Sequence, residues 1–210
     1  MNGFQVKPPA VASTWTRIIP LLLFSFSVVA PVIAAVPNTL ESDVSTNPTA
    51  TGDWFQQGFD VAHTKFNRFE TELTRDNVGS LVELWTSEDI GGGTLDTTPV
   101  VADGKVFIGG FTNSSLYALD AETGETLWVG PKQDLLFTNS AAVSHGLVFA
   151  SALFSPLSAY DADTGEIVWT AAGTDLRASP TLRGRTLYVG NTDGTLDALE
   201  AATGNGQVVG

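Results

Sequence analysis

From residue 98 onward the chain is a succession of short apolar runs separated by turn residues. In Leu116-Tyr-Ala-Leu-Asp120, positions 116, 118 and 120 alternate with 117 and 119 at a period of two, the mark of a strand. Upstream, Pro99-Val-Val-Ala-Asp-Gly-Lys-Val-Phe-Ile-Gly109 places two β-rich runs around Asp103-Gly104, the strongest short-range hairpin signal. Ala142-Val-Ser-His-Gly-Leu-Val-Phe149 and Pro180-Thr-Leu-Arg-Gly-Arg-Thr-Leu-Tyr-Val-Gly190 follow the same pattern. The pattern predicts an all-β fold made of antiparallel hairpins.

The runs are copies of one unit. Ala118-Leu-Asp-Ala-Glu-Thr-Gly-Glu-Thr-Leu-Trp128 returns as Ala159-Tyr-Asp-Ala-Asp-Thr-Gly-Glu-Ile-Val-Trp169, and an eroded third copy runs from Ala198 to Val208. The repeated glycines, Gly124, Gly165 and Gly204, stand 41 and 39 residues apart. Four short strands in about 40 residues is the size of a propeller blade. The Asp-x-x-Thr-Gly turn joins an acceptor that caps nearby backbone N–H groups to a glycine that tolerates positive φ. The tryptophan after each turn can pack on the neighbouring copy while its N–H meets a backbone acceptor. Ala118, Asp120, Thr123, Gly124 and Trp128, their counterparts Ala159, Asp161, Thr164, Gly165 and Trp169, and the in-phase Trp85 are therefore expected to carry structure and no catalysis. Val208 takes the tryptophan position of the third copy by spacing alone.

These motifs resemble the pyrroloquinoline-quinone (PQQ)-type repeat of quinoprotein β-propellers, over residues 98 to 210. The repeat is also similar to that of non-catalytic scaffolds such as the outer-membrane assembly propeller. The lead-in, with Trp54, Gly58-Phe-Asp60, Asn67, Glu70 and Asn77-Val-Gly-Ser-Leu81 before Trp85, extends the resemblance to residues 54 to 85. What this implies is a partial propeller of about three four-stranded antiparallel blades (98–130, 140–171 and 179–210), part of a seven- or eight-bladed whole, preceded by a lead-in segment and propeller-closing strand at 53–97. The chain is thus expected to be an N-terminal fragment. The rival explanation is that copies associate to close a ring. Trp54, Phe55, Phe59, Phe66 and Phe69 are the expected anchors of the lead-in.

Residues 1–35 contain no acid, two cations and an apolar run ending in Pro-Val-Ile-Ala-Ala35, which reads as a signal peptide cut after Ala34 or Ala35. Residues 36–52 are small, polar and aperiodic, a flexible linker. Localisation is then exported, periplasmic or extracellular, with no membrane span after cleavage. All 23 acids follow residue 35 against eight Lys and Arg, giving a charge of −15 that repels nucleic acid and anionic lipid. The chain has no Cys, so disulfides and thiolate zinc sites are excluded.

Candidate chemistry is sparse. Asp161-x-Asp163-x-Gly165 lacks the later oxygens of a calcium loop, and turn formation explains it better. His63 and His145, the two histidines, read as surface or packing residues. Gly91-Gly-Gly93 lacks the Lys of a phosphate loop, and Asn113-Ser-Ser115 is a formal glycosylation sequon. No metal ligand or catalytic residue is assigned. The expectation is an exported propeller repeat protein serving as a binding or scaffold module, with protein partners on its blade faces. The alternative is the front part of a PQQ- and calcium-dependent alcohol dehydrogenase; only under it are PQQ and calcium implied.

Overall fold

The computed structural model describes residues 53–87, 90, 97–110, 113–173, 175–176 and 178–209, all within one compact unit, Val36–Gly210. The signal-peptide and linker readings and the Gly91–Gly93 loop lie outside the described residues.

Among the described residues twelve strands form three antiparallel sheets of four. The first holds β1 (Val100–Ala102), β2 (Lys105–Gly109), β3 (Leu116–Asp120) and β4 (Thr126–Val129) in sequence order. The second holds β5 (Ala142–Ser144), β6 (Leu147–Ala150), β7 (Ser158–Asp161) and β8 (Ile167–Thr170). The third holds β9 (Thr181–Arg183), β10 (Thr186–Gly190), β11 (Leu196–Glu200) and β12 (Gly206–Val208). The hairpin chemistry is legible in the backbone. Asp103 and Gly104, and His145 and Gly146, all have positive φ, as a two-residue type I′ turn requires. The third hairpin has positive φ at Gly184 alone of its two turn residues, Gly184 and Arg185, the requirement of type II′.

Sheets stack face to face, so both faces of the middle strands are buried in the first two sheets, while β10 (Thr186–Gly190) and β11 (Leu196–Glu200) of the third bury alternate residues only. β3 accordingly hides Leu116, Tyr117, Ala118 and Leu119 together. One seam packs Val100, Phe107, Leu116 and Trp128 of the first sheet on Val143, Val148 and Tyr160 of the second. The next packs Phe149, Leu157 and Ala159 on Leu182, Leu187, Val189 and Leu199. The remaining face of the first sheet, with Ile108, Tyr117 and Leu119, is covered by Trp85 and Ile90 from the lead-in. Each large side chain so buried contributes about 1.5–3 kcal/mol, which makes the seams the main source of stability.

Three expectations need correction. Leu81–Trp85 is no strand: among the described residues no backbone pairs with it, and Val82 and Leu84 stand 85% and 76% exposed. Phe66 is no anchor, being 67% exposed, whereas Phe55 and Phe59 are buried. The third copy also departs in register. A bulge after Ala118 and another after Ala159 set these residues opposite Trp128 and Trp169. The third sheet has none, so Gln207, not Val208, stands opposite Ala198.

Candidate functional site

Among the described residues the repeat residues come together in one contact that occurs three times. Asp120 Oδ1 accepts from Thr123 N (2.8 Å), Thr123 Oγ1 (3.0 Å) and Glu122 N (3.0 Å). Asp161 repeats the arrangement with Thr164 and Asp163. Glu200 stands at this place in the third copy, and its longer side chain accepts from Thr203 Oγ1. The turn then leaves a glycine at positive φ, and an indole from the preceding segment lies on it. Cβ atoms built on Gly124, Gly165 and Gly204 would come within 2.4, 2.6 and 2.5 Å of the rings of Trp85, Trp128 and Trp169. Each indole Nε1 donates to a carbonyl just before that glycine: Ala121 at 3.0 Å, Ala162 at 3.0 Å and Ala201 at 3.1 Å. Ala118 and Ala159, opposite Trp128 and Trp169, are fully buried. These glycines therefore serve twice, as turn residues and as bare platforms; only the first role is visible in a turn motif.

The backbone N–H of Thr123, its hydroxyl and the N–H of Glu122 hold the Asp120 carboxylate below its ordinary range. A group depressed on folding stabilises the fold fully above its unfolded pKa, and that contribution is lost as pH falls through the lower, folded value. The expected result is a fall in thermal midpoint between pH 6 and pH 2.5 that is smaller in Asp120→Asn than in the parent. Equal falls would contradict the assignment.

The second convergence is at the free edges of β1, β5 and β9, the first strands of their sheets. Trp54 pairs with Val101 through two backbone hydrogen bonds of 2.7 and 2.9 Å. One residue later Val143 N donates to Phe55 O at 2.8 Å, and Gln56 bridges Ala142. The Gln56 side chain reaches the third sheet, its Oε1 accepting from Leu182 N at 2.9 Å. Three consecutive residues advance only about 10 Å along a strand, so the three edges converge on the lead-in. The side chains of His63 (Nε2) and Thr181 (Oγ1), 3.2 Å apart, add a second link to β9. A hydroxyl relay runs alongside: Thr98 N donates to Ser140 Oγ and Ser140 N to Ser179 Oγ, each at 2.9 Å. Gln56 and the relay were missed in the sequence reading; hydroxyl residues 42 and 39 apart, just before each first strand, are the signal that was there.

Beside this edge lies an open cleft of about 670 Å³ between Trp54, Lys65, Phe66 and Glu70 of the lead-in and Thr98, Pro99 and Val101. Its charged groups are one cation and one acid, with apolar surface between. The acids of the suspected calcium loop are engaged elsewhere: Asp161 in its turn and Asp163 with Lys105 Nζ at 2.9 Å. Among the described residues no three His, Cys, Asp or Glu side chains gather where a metal could be held. The donors here do not fit a calcium-bound quinone.

Three stacked four-stranded sheets with first strands converging on one side define a β-propeller, here in part. A family model described as the β-propeller domain of glucose, ethanol and alcohol dehydrogenases matches residues 54–141. One described as outer membrane protein assembly factor BamB matches residues 112–207. The chain belongs to the PQQ-like β-propeller repeat family. The 1-butanol dehydrogenase (cytochrome c) of Thauera butanivorans is 30% identical over 84 residues, 40% of this chain and 12% of that protein. The quinohemoprotein alcohol dehydrogenase of Comamonas testosteroni is 29% identical over 99 residues, 47% of this chain and 14% of that one. The crystal structure of the Comamonas testosteroni enzyme matches with a TM-score of 0.67 at 25% identity, over 80% of this chain and 28% of that chain. A europium-containing methanol dehydrogenase, at 20% identity and TM-score 0.65, shares the fold over 79% of this chain and 33% of that chain. The chain thus spans 12–14% of the length of the curated relatives it matches.

Proposed function

We propose that the chain is an exported PQQ-like propeller module whose described part serves binding and scaffolding, with its docked indoles as the family's tryptophan-docking motif. The supporting observation is that the repeated acids and hydroxyls and the Gln56 amide oxygen are engaged in turns and at strand edges. A partner would meet the exposed blade faces and the lead-in cleft. No helix among the described residues is long and apolar enough to cross a membrane. The similarity to two alcohol dehydrogenases favours a second reading, in which these blades are the front of a PQQ- and calcium-dependent dehydrogenase whose chemistry lies in other blades.

Equilibrium dialysis of the full 210-residue chain against PQQ with calcium tests the first reading. Neither stoichiometric quinone binding nor dye-linked alcohol oxidation is expected. Calcium-dependent turnover that a single Asp substitution abolishes would overturn it. Export is tested separately: N-terminal sequencing of secreted material should start at Ala35 or Val36, whereas an intact Met1 form in membranes would contradict cleavage.

A further inference from the structure

A second pocket, of about 280 Å³, lies between the segment after β8 and the outer half of the third sheet. Ala172 and Gly173 form one wall; Asp197, Leu199 and β12 form the other. The register sets Asp197 opposite Val208 and Leu199 opposite Gly206, so these four positions share one sheet face. A side chain at Gly173 would meet nothing within 4 Å, so this wall is open, whereas the Trp169 ring lies on Gly204 and Leu199 packs against Gly206.

The chemistry of this pocket is one carboxylate. Asp197 is 8% exposed, and among the described residues no cation pairs with it, a rare burial for an acid. Asn191 Nδ2 donates to its Oδ2 at 2.8 Å. A carboxylate has about four acceptor positions, so it can take donors beyond this one. The two ion pairs among the described residues, Lys105–Asp163 and Arg185–Glu200, involve other acids.

The fold itself does not ask for this acid. The matching position in the second sheet is Ser158, opposite Thr170, with the two hydroxyls 2.9 Å apart. In the first sheet it is Tyr117, opposite Val129. A buried charge that the repeat does without is best explained by a cation that it meets. Calcium wants about six to eight oxygens and zinc four ligands, and this site offers one carboxylate among glycines. A primary ammonium needs only a few acceptors, and its alkyl stem suits the Leu199 and Val208 wall. The surplus of acid over base after residue 35 would draw such a cation in.

We propose that this pocket binds a primary alkylammonium group, as a free amine or as a lysine side chain, with Asp197 as its counter-ion. The test is NMR titration of the full chain with n-butylammonium chloride, n-butanol as the neutral isostere, and lysine blocked at both ends. Butylammonium is expected to shift the amides of Gly173, Gly204 and Gly206 saturably, and n-butanol is not. Tighter binding of blocked lysine would identify a protein side chain as the source, and weaker binding a free amine. Asp197→Ser, which installs the residue of the second sheet, and Asp197→Asn should each raise the Kd at least tenfold with the thermal midpoint retained. Equal shifts with n-butanol, or an unchanged Kd in both variants, would overturn the proposal.

Discussion

Trp128→Ala is expected to lower the unfolding free energy by about 3–5 kcal/mol, the range for truncating a buried large aromatic. The indole is 8% exposed, lies in the seam between the first two sheets and is tilted against Phe107 with ring centroids 5.9 Å apart. Its loss opens a cavity bounded by the Gly165 platform, and the buried Ala162 carbonyl loses a donor. The neighbouring backbone is held in β-ladders and cannot collapse far into the gap. Trp169→Ala should lie at the lower end of the same range, because that ring is only partly buried. Urea unfolding measures both, and losses below about 1 kcal/mol would mean that the rings are not docked.

The second large effect is expected in the lead-in. Phe59→Ala should cost about 3–5 kcal/mol, since the ring is 1% exposed and meets Trp54 edge-on at 5.1 Å. Gln56→Ala removes a fully buried side chain and leaves the Leu182 amide without its partner, at about 1–3 kcal/mol. The two are separable by hydrogen exchange. Gln56→Ala should speed exchange at Leu182 in particular, while Phe59→Ala should release Val101 and Val143, whose N–H groups donate to the Trp54 and Phe55 carbonyls. Unchanged exchange at all three amides would show that the lead-in does not hold these strand edges.

The blades were legible in the sequence because each is local. An Asp-Gly pair between two β-rich runs and an Asp-x-x-Thr-Gly turn fix a hairpin within about ten residues. What joins one blade to the next was only half legible. The spacing of Trp85, Trp128 and Trp169 announced a contact, but the need for a bare glycine beneath each ring arises from a partner 39, 37 or 35 residues away. The register of the third copy was misread because residue counting cannot see a bulge: ten residues separate Ala198 from Val208 as they do Ala118 from Trp128, yet the pairing differs by one. Gln56 was invisible for a similar reason. Nothing in a lone glutamine indicates that it meets a strand 126 residues later. The Asp197 pocket combines both difficulties, as it needs the bulge-free register and a glycine at 206.

The direct test of blade-to-blade docking is the double-mutant cycle of Trp128→Ala with Gly165→Ala. In the parent, alanine at 165 must accept a φ of +75° and a ring whose nearest atom would be 2.6 Å from its Cβ. Without the indole only the backbone strain remains, about 1–2 kcal/mol. Docking therefore predicts that the two substitutions together cost at least about 1 kcal/mol less than the sum of their separate effects. Additivity within about 0.5 kcal/mol would contradict it.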